Sequence, residues 1–171
     1  MTTRSYEQEV YVVRALEPRD AEAVHRIDRR SSGRERRGYL ERRLQEALQT
    51  SGIRRSLAAE CAGEGVGFLL AGVDYGEFGL PDPVAVVDTL GVDPGNRGQG
   101  VGRALVESLL AQVRGLGIDR VQTIVDWDRI ELLGFLREMG FAPSPKLCLE
   151  RATDGARRAS DPADRRREGL E

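Results

Sequence analysis

Three glycines alternate in the short run Gly98-Gln99-Gly100-Val101-Gly102, which limits the possible folds more than any other feature of the chain. The preceding residues 84–92 are rich in valine and predict a β-strand, and the apolar spacing of residues 98–117 predicts an amphipathic helix. A helix N-terminus has unpaired N–H groups and about half a positive charge, and glycines let an anion approach the backbone. The sequence therefore predicts an anion site built from main-chain donors.

Two arginines flank this glycine run and can add charge-assisted hydrogen bonds to a bound anion. They are Arg97, directly before the run, and Arg103, directly after it. The spacing differs from the G-x-G-x-x-G of dinucleotide-binding folds, and the run lacks the Gly-Lys-Ser/Thr ending of a P-loop. The alternative is that the glycines only permit tight turns.

The rest of the chain predicts alternating strands and helices, followed by a polar tail. The expected elements are strand 9–15, helix 17–31, helix 36–49, strands 56–61 and 66–73, strand 84–92, helix 98–117, strand 121–127, helix 130–139 and a last strand over 147–149. Antiparallel strands before a β-α-β unit imply an α/β fold, with a mixed central sheet and helices on both faces. Residues 1–152 are the expected domain, and residues 153–171, rich in Arg, Asp and Glu, are expected to be disordered.

Composition and charge exclude several classes of protein. The 171 residues suit one domain, and a formal net charge of −2 gives no reason to expect a nucleic-acid or membrane partner. No apolar run approaches the ~20 residues that span a bilayer, and no apolar leader opens the chain, so we expect a cytoplasmic protein. Cys61 and Cys148 lie in apolar, strand-like surroundings and are expected to be buried free thiols. His25 has no Cys or His nearby in sequence, so no metal site is predicted.

The run Val92-Asp-Pro-Gly-Asn-Arg97-Gly-Gln-Gly100-Val-Gly102 resembles the signature Arg/Gln-x-x-Gly-x-Gly/Ala of the GCN5-related N-acetyltransferases, the GNAT superfamily. The resemblance extends over the element order from about Val10 to Arg151 and includes Met139-Gly140-Phe141 near its end. It implies a GNAT fold in which two parallel strands splay apart at the acetyl-CoA site. It also implies transfer of an acetyl group from acetyl-CoA to a primary amine of a small molecule, protein or peptide.

The same resemblance implies where acetyl-CoA binds. The loop backbone would hold the pyrophosphate, and the pantetheine would pair with the edge of strand 84–92, where Gly91 is the expected bulge that parts this strand from its neighbour. The cofactor-binding residues expected on these grounds are Leu90, Gly91, Val92, Arg97, Gly98, Gln99, Gly100, Val101, Gly102, Arg103 and Arg129. Neither cysteine has a histidine nearby or lies close to the glycine run, so we expect direct attack by the amine and no covalent intermediate.

The chain departs from the family at two positions that matter for proton transfer. Many members have a tyrosine five residues before the phenylalanine of Gly-Phe, where this chain has Leu136, and many have an asparagine where it has Arg129. The candidate substitutes for the tyrosine are Tyr11, Tyr39 and Tyr75. For deprotonation of the amine, the candidate bases are Asp88 and Asp126, near the ends of the two strands expected to diverge.

Other interpretations remain open at this stage. A chain without the tyrosine could be a non-catalytic acyl-CoA sensor, and the arginine-rich stretch 29–43 could be an interaction surface instead of a solvated helix face. Homodimer formation is possible. The acidic residues 74–82 could attract a cationic acceptor or form a plain connector. Trp127 is expected to pack at the end of its strand, with a wall of the acceptor site as the alternative.

Overall fold

A computed structural model describes residues 11–33, 35–49, 56–75, 82–149 and 151. The strands are β1 (Tyr11–Ala15), β2 (Leu57–Cys61), β3 (Glu64–Asp74), β4 (Val84–Val92) and β5 (Val121–Gln122). The helices are α1 (Ala21–Ser32), α2 (Arg37–Gln49), α3 (Val101–Arg114) and α4 (Ile130–Glu138), with short 3-10 helices at Pro18–Asp20 and Pro94–Asn96. Most of the acidic stretch 74–82 and the expected tail 153–171 lie outside the described residues.

Five strands form one mixed sheet in the order β1-β2-β3-β4-β5. The first four are antiparallel neighbours, and β5 runs parallel to β4. The tight β2–β3 connection consists of Ala62 and Gly63, whose φ values of 50° and 83° are both positive. Two successive positive φ angles match the twist of a two-residue hairpin, so a glycine suits the second position.

Helices cover both faces of this sheet, as predicted. On one face, α1 and α2 pack against side chains of β2 and β3 in a buried cluster formed by Leu16, Val24, Ile27, Leu40, Leu44, Ala58, Phe68 and Leu70. On the other face, Gly67 lies against α3, where an added Cβ would be 2.8 Å from Cγ1 of Val101. Successive strand residues point to opposite faces, so Gly67 faces α3 and Phe68 faces the cluster formed with α1 and α2.

The parallel strands β4 and β5 pair only at their beginnings. Ala85 lies opposite Val121 and Val86 opposite Gln122, and there the pairing ends. The predicted strand 121–127 is therefore too long, because the residues after Gln122 have no ladder partner in the described structure. Trp127 is 82% exposed, so its expected packing role is wrong. Beyond Val86, β4 pairs with β3 on one side, and its other edge parts from β5 as a splayed strand pair requires.

A β-bulge lies in β4 at Asp88 and not at Gly91, where it was predicted. Leu70 of β3 is opposite Thr89, but the next residue, Ala71, is opposite Val87, so Asp88 is the extra residue. In an unbroken strand, period-two alternation would place Val84, Val86, Asp88, Leu90 and Val92 on one face, and this insertion breaks that alternation. Gly91 has another purpose, because a Cβ there would lie 2.4 Å from Cε1 of Phe68.

Chain contacts divide the protein into two units, Met1–Met139 and Gly140–Glu171. In the second unit, the described residues 140–149 and 151 form neither helix nor strand, so the predicted last strand over 147–149 is wrong. Leu147 and Leu149 are each 88% exposed. An apolar alternation of three residues does not make a strand without a neighbour that accepts its hydrogen bonds. Cys148 is exposed and Cys61 half-buried, so neither is the buried thiol expected.

Candidate functional site

The loop after β4 is ordered by Asp93. Its amide donates to the carbonyl of Val66 at 2.8 Å, and its own carbonyl accepts from the amide of Asn96 at 2.8 Å. Its carboxylate Oδ1 accepts from the amide of Gly95 at 3.0 Å. This is the local turn that Asp before Pro-Gly favours, so the sequence did carry a signal for it. The loop therefore leaves the sheet along one defined path.

Helix α3 begins at Val101 and not at Gly98 as predicted. The φ values of Gly98 and Gly100 are 76° and 87°, a left-handed conformation that cannot continue a right-handed helix. The amide of Ala104 donates to the carbonyl of Gly100 at 3.0 Å and closes the first turn. The preceding amides at this helix end lack an acceptor inside the helix, so they can bind an anion.

Gly102 differs from the other two glycines of the run. It has a helical conformation, and a Cβ there would make ordinary contacts of 3.5 Å with Cζ of Phe135 and 3.6 Å with Cγ2 of Val92. The structure therefore tolerates alanine at this position, in keeping with the Gly/Ala alternative of the signature. At Gly100, the same atom would lie 3.0 Å from the hydroxyl of Tyr11 in addition to the strained φ.

The open edge of β4 leads directly into this loop. Leu90, Gly91 and Val92 pair with β3 on one side, and their other edge lies beyond the last β4–β5 pair. A free strand edge presents N–H and C=O groups that can pair with an extended ligand. The edge and the α3 amides are therefore continuous, and together they suit a ligand with an extended amide chain and phosphate groups.

The three arginines expected to bind the cofactor lie in three different surroundings. Arg97 is exposed between the 3-10 helix and Gly98. Arg103 is half exposed, and its ion pairs within the described residues are long, at 3.8 Å to Glu107 and 3.7 Å to Glu138. Such exposed pairs stabilise little, so they leave Arg103 available to an anion. Arg129 is exposed at the residue before α4.

A hydrocarbon side chain of α4, that of Leu136, occupies the position where the family resemblance leads us to expect a proton donor. Leu136 is buried, and Phe135 is the aromatic residue that lies against Gly102 and so faces the start of α3. Neither can donate a proton. Of the three tyrosines considered as substitutes, Tyr11 places its hydroxyl next to Gly100 and Tyr39 lies beside Asp88, whereas Tyr75 is largely exposed.

Asp88 lies at the bulge, where β4 and β5 have already parted, and three donors approach its carboxylate. The Tyr39 hydroxyl donates to Oδ2 at 2.7 Å and the Thr89 hydroxyl at 3.2 Å, while Nη2 of Arg43 lies 2.9 Å from Oδ1. Arg36 and Arg43 also stack on the Tyr39 ring, 5.5 Å and 5.8 Å from its centroid. The pKa of Arg43 is raised above its usual value, first by Glu46 and then by Tyr39. No sequence pattern indicates this Tyr39–Asp88 contact, because the two residues are 49 positions apart.

Asp126 lies in the turn that leads into α4, not on a strand. Its carbonyl accepts a hydrogen bond from the amide of Arg129 at 3.0 Å, and its side chain is exposed. In a strand over residues 121–127, period-two alternation would place Asp126 on one face with Gln122 and Ile124, but β5 ends at Gln122 and no such face forms.

Several arginines of the stretch 29–43 bind acidic groups of the same chain. Arg36 pairs with the buried Asp28, and Arg37 pairs with Glu22 at 2.8 Å and Glu41 at 3.0 Å. Arg30 pairs with Asp93, a contact that nothing in the sequence singled out. These pairs are intramolecular, so much of the positive charge is already used within the fold.

No helix in the described part of the chain has the length and apolarity needed to cross a membrane.

The family model described as "Acetyltransferase (GNAT) family" matches residues 21–141. The chain is 39% identical over 83 residues to a mycothiol acetyltransferase of Thermobispora bispora, covering 48% of this chain and 28% of that protein. It is 36% identical over 107 residues to serotonin N-acetyltransferase 2, chloroplastic, of Oryza sativa subsp. japonica, covering 61% of this chain and 49% of that protein. The chain thus spans half or less of the length of these curated relatives.

Among solved structures, the fold is similar to that of the aminoglycoside N-acetyltransferase AAC(6')-Iy in complex with CoA. The TM-score is 0.70 and the sequence identity 17%, and the match covers 84% of this chain and 95% of that one. At this identity the similarity supports the fold, and the functional argument depends on the site.

Proposed function

Because the chain belongs to the acetyltransferase (GNAT) family, we propose that it transfers an acetyl group from acetyl-CoA directly to a primary amine. The observation that carries the proposal is the open β4 edge, which runs into the loop of residues 93–100, here called the glycine loop, and then into the N-terminus of α3. Extended backbone followed by a cluster of free amides matches the amide-containing pantetheine arm and the diphosphate of coenzyme A in that order.

The binding residues follow from this arrangement. The backbone of Leu90–Val92 pairs with pantetheine amides, and the amides of residues 98–103 bind the diphosphate, where the α3 N-terminus favours negative charge. Arg97, Arg103 and Arg129 supply the remaining positive charge, and their exposure leaves them free to move towards phosphate oxygens.

The chemistry requires two proton movements. The amine nitrogen attacks the thioester carbonyl carbon, the C–S bond breaks, and the coenzyme leaves as a thiolate that takes up a proton. The amine must lose a proton before or during attack. Donors from the β4 backbone stabilise the negative charge that develops on the carbonyl oxygen.

Asp88 is the preferred general base, because it lies on β4 at the point where the strand pair has opened. The two oxygens of a carboxylate offer about four acceptor positions, and three donors approach that of Asp88, so a position remains for the amine N–H. Tyr39 and Arg43 hold the carboxylate in place while it accepts the proton. Asp126 is the second candidate, exposed and without these constraints.

The acceptor is a primary amine in this proposal, and its identity is open. The names of similar proteins include mycothiol, serotonin and aminoglycosides, and two of these three proteins are named as N-acetyltransferases. The names share an acetyltransferase activity, and their acceptors differ widely. A suitable panel therefore contains arylalkylamines and aminoglycosides, extended by polyamines and peptide N-termini.

A non-catalytic acyl-CoA sensor is the second candidate, favoured by the hydrocarbon Leu136 at the position expected for a proton donor. The two are separated by measuring release of the coenzyme A thiol from acetyl-CoA with each amine of the panel. Amine-dependent release with formation of the N-acetyl product supports the transferase. Tight acetyl-CoA binding without release by any amine supports the sensor.

A further inference from the structure

An ion pair connects helix α1 to the first residue of the glycine loop. Nη1 of Arg30 lies 2.8 Å from Oδ2 of Asp93, and the two residues are 63 positions apart in sequence. The Asp93 side chain is 10% exposed and that of Arg30 53% exposed. The carboxylate is therefore nearly buried, and the cation that neutralises it comes from another element.

The two carboxylate oxygens of Asp93 have separate contacts. Oδ1 accepts from the amide of Gly95 and so shapes the turn, while Oδ2 faces Arg30. The turn therefore needs an oxygen acceptor at this position but does not need a negative charge. An asparagine oxygen could accept the same amide hydrogen, because its carbonyl oxygen is also an acceptor.

A buried carboxylate is an unfavourable neighbour for an anion site. Asp93 lies four residues before Arg97, at the point where the loop leaves the sheet, and low solvent exposure weakens the screening of its charge. Without a counter-ion, this carboxylate would repel a diphosphate bound at the α3 N-terminus. Arg30 supplies that counter-ion.

We propose that Arg30 is a positioning residue for the acetyl-CoA site, which acts by neutralising Asp93 at the base of the glycine loop. This inference rests on the proposed function, since it requires a diphosphate at the N-terminus of α3. It predicts an effect on cofactor affinity without an effect on the chemical step, because Arg30 does not touch the reacting atoms.

The test compares four variants by acetyl-CoA calorimetry and by steady-state kinetics with a productive amine. Arg30→Ala weakens acetyl-CoA binding about tenfold, within the range for directly coupled residues, and raises KM with kcat within about twofold of wild type. Arg30→Lys recovers most of the affinity, because an ammonium group can also neutralise the carboxylate. Arg29→Ala is the matched control: it removes the same charge from the adjacent, exposed position of α1 and leaves the affinity unchanged.

The fourth variant is the double substitution Arg30→Ala/Asp93→Asn, which removes both charges and keeps an oxygen acceptor for Gly95. Recovery of affinity towards wild type supports neutralisation. An affinity as low as that of Arg30→Ala alone, or an Arg30→Ala protein that binds like Arg29→Ala, overturns it. Wild-type protein that fails to bind acetyl-CoA would contradict the proposed function itself, and this inference with it. Melting temperatures of all variants show that each is folded when it is titrated.

Discussion

Replacing Gly100 with alanine separates the cost to the fold from the cost to cofactor binding. Gly100 has a φ of 87°, and an alanine in this left-handed region is strained by about 1–2 kcal/mol. The new Cβ would also lie 3.0 Å from the Tyr11 hydroxyl, which must move by a few tenths of an ångström. For a chain of this size, the strain lowers the melting temperature by about 2–8 °C.

In the proposed complex, the same methyl group would occupy space that a phosphate oxygen needs in order to contact the α3 amides. A hydrogen bond to a charged group contributes about 1.5–3 kcal/mol, so acetyl-CoA should bind about 10- to 150-fold more weakly. Calorimetry at a temperature where the variant is fully folded measures this directly.

Gly117 provides the matched control beyond the other end of α3. Its φ is 70°, and a Cβ there meets nothing within 4 Å, so Gly117→Ala carries the same backbone strain away from the loop. It should lose similar stability and keep wild-type affinity. If Gly100→Ala binds acetyl-CoA as tightly as Gly117→Ala does, the glycine run is not the diphosphate site.

Three further predictions follow from individual contacts. Asp88→Asn should lower turnover by about 10²–10⁴-fold with little change in acetyl-CoA affinity; if it keeps wild-type kcat and Asp126→Asn does not, the base is Asp126. Gly91→Ala should lower the free energy of unfolding by about 1–3 kcal/mol, because the new Cβ clashes with the Phe68 ring, and adding Phe68→Leu to this variant should restore part of the loss. An unchanged urea unfolding curve for Gly91→Ala would show that the Phe68 ring does not require a glycine there. Burial alone would raise the pKa of Asp20, but hydrogen bonds from Arg14 and the Glu17 amide lower it below 3.8, so the ionised carboxylate stabilises the fold above pH 4 and loses this effect as the pH falls further. The difference in unfolding free energy between wild type and Asp20→Asn should therefore become smaller below pH 4. A difference that stays constant from pH 7 to pH 3 would refute this role of Asp20.

The sequence predicted those parts of the fold whose signals are local and strong. Strand Val84–Val92 has the predicted bounds, and the helix expected over residues 98–117 is present as Val101–Arg114. Its apolar spacing predicts a buried stripe of Val101, Leu105, Leu109, Val113 and Leu116; the first four are buried, whereas Leu116 lies beyond the helix and is 43% exposed. In both segments, local propensity and burial favour the same structure, so a single sequence suffices.

The errors occur where the structure depends on partners distant in sequence. Strand β5 is two residues long, Val121–Gln122, because only these residues pair with β4 in the described structure. The bulge at Asp88 depends on the register in which β3 pairs with β4. A glycine was a reasonable candidate for the bulge, yet Gly91 is required by the Phe68 ring, which lies 23 residues earlier in the sequence. Composition and periodicity do not specify such contacts.

In the candidate site, too, local features were predictable from the sequence and contacts between distant residues were not. The loop and its arginines were visible in the sequence because one motif contains them. The partners of Asp88 and Asp93 were not visible, because Tyr39, Arg43 and Arg30 come from helices that the fold brings to β4 and its loop. Among so many arginines, no local pattern distinguishes the one that neutralises a buried carboxylate.

A crystal structure of the protein with acetyl-CoA would show whether the β4 edge and the glycine loop together bind the coenzyme, as we propose. We expect diphosphate oxygens within hydrogen-bonding distance of the amides of residues 98–103, and pantetheine amides paired with the backbone of Leu90–Val92. A coenzyme bound elsewhere, with the α3 N-terminus open to solvent, would refute the proposed binding site.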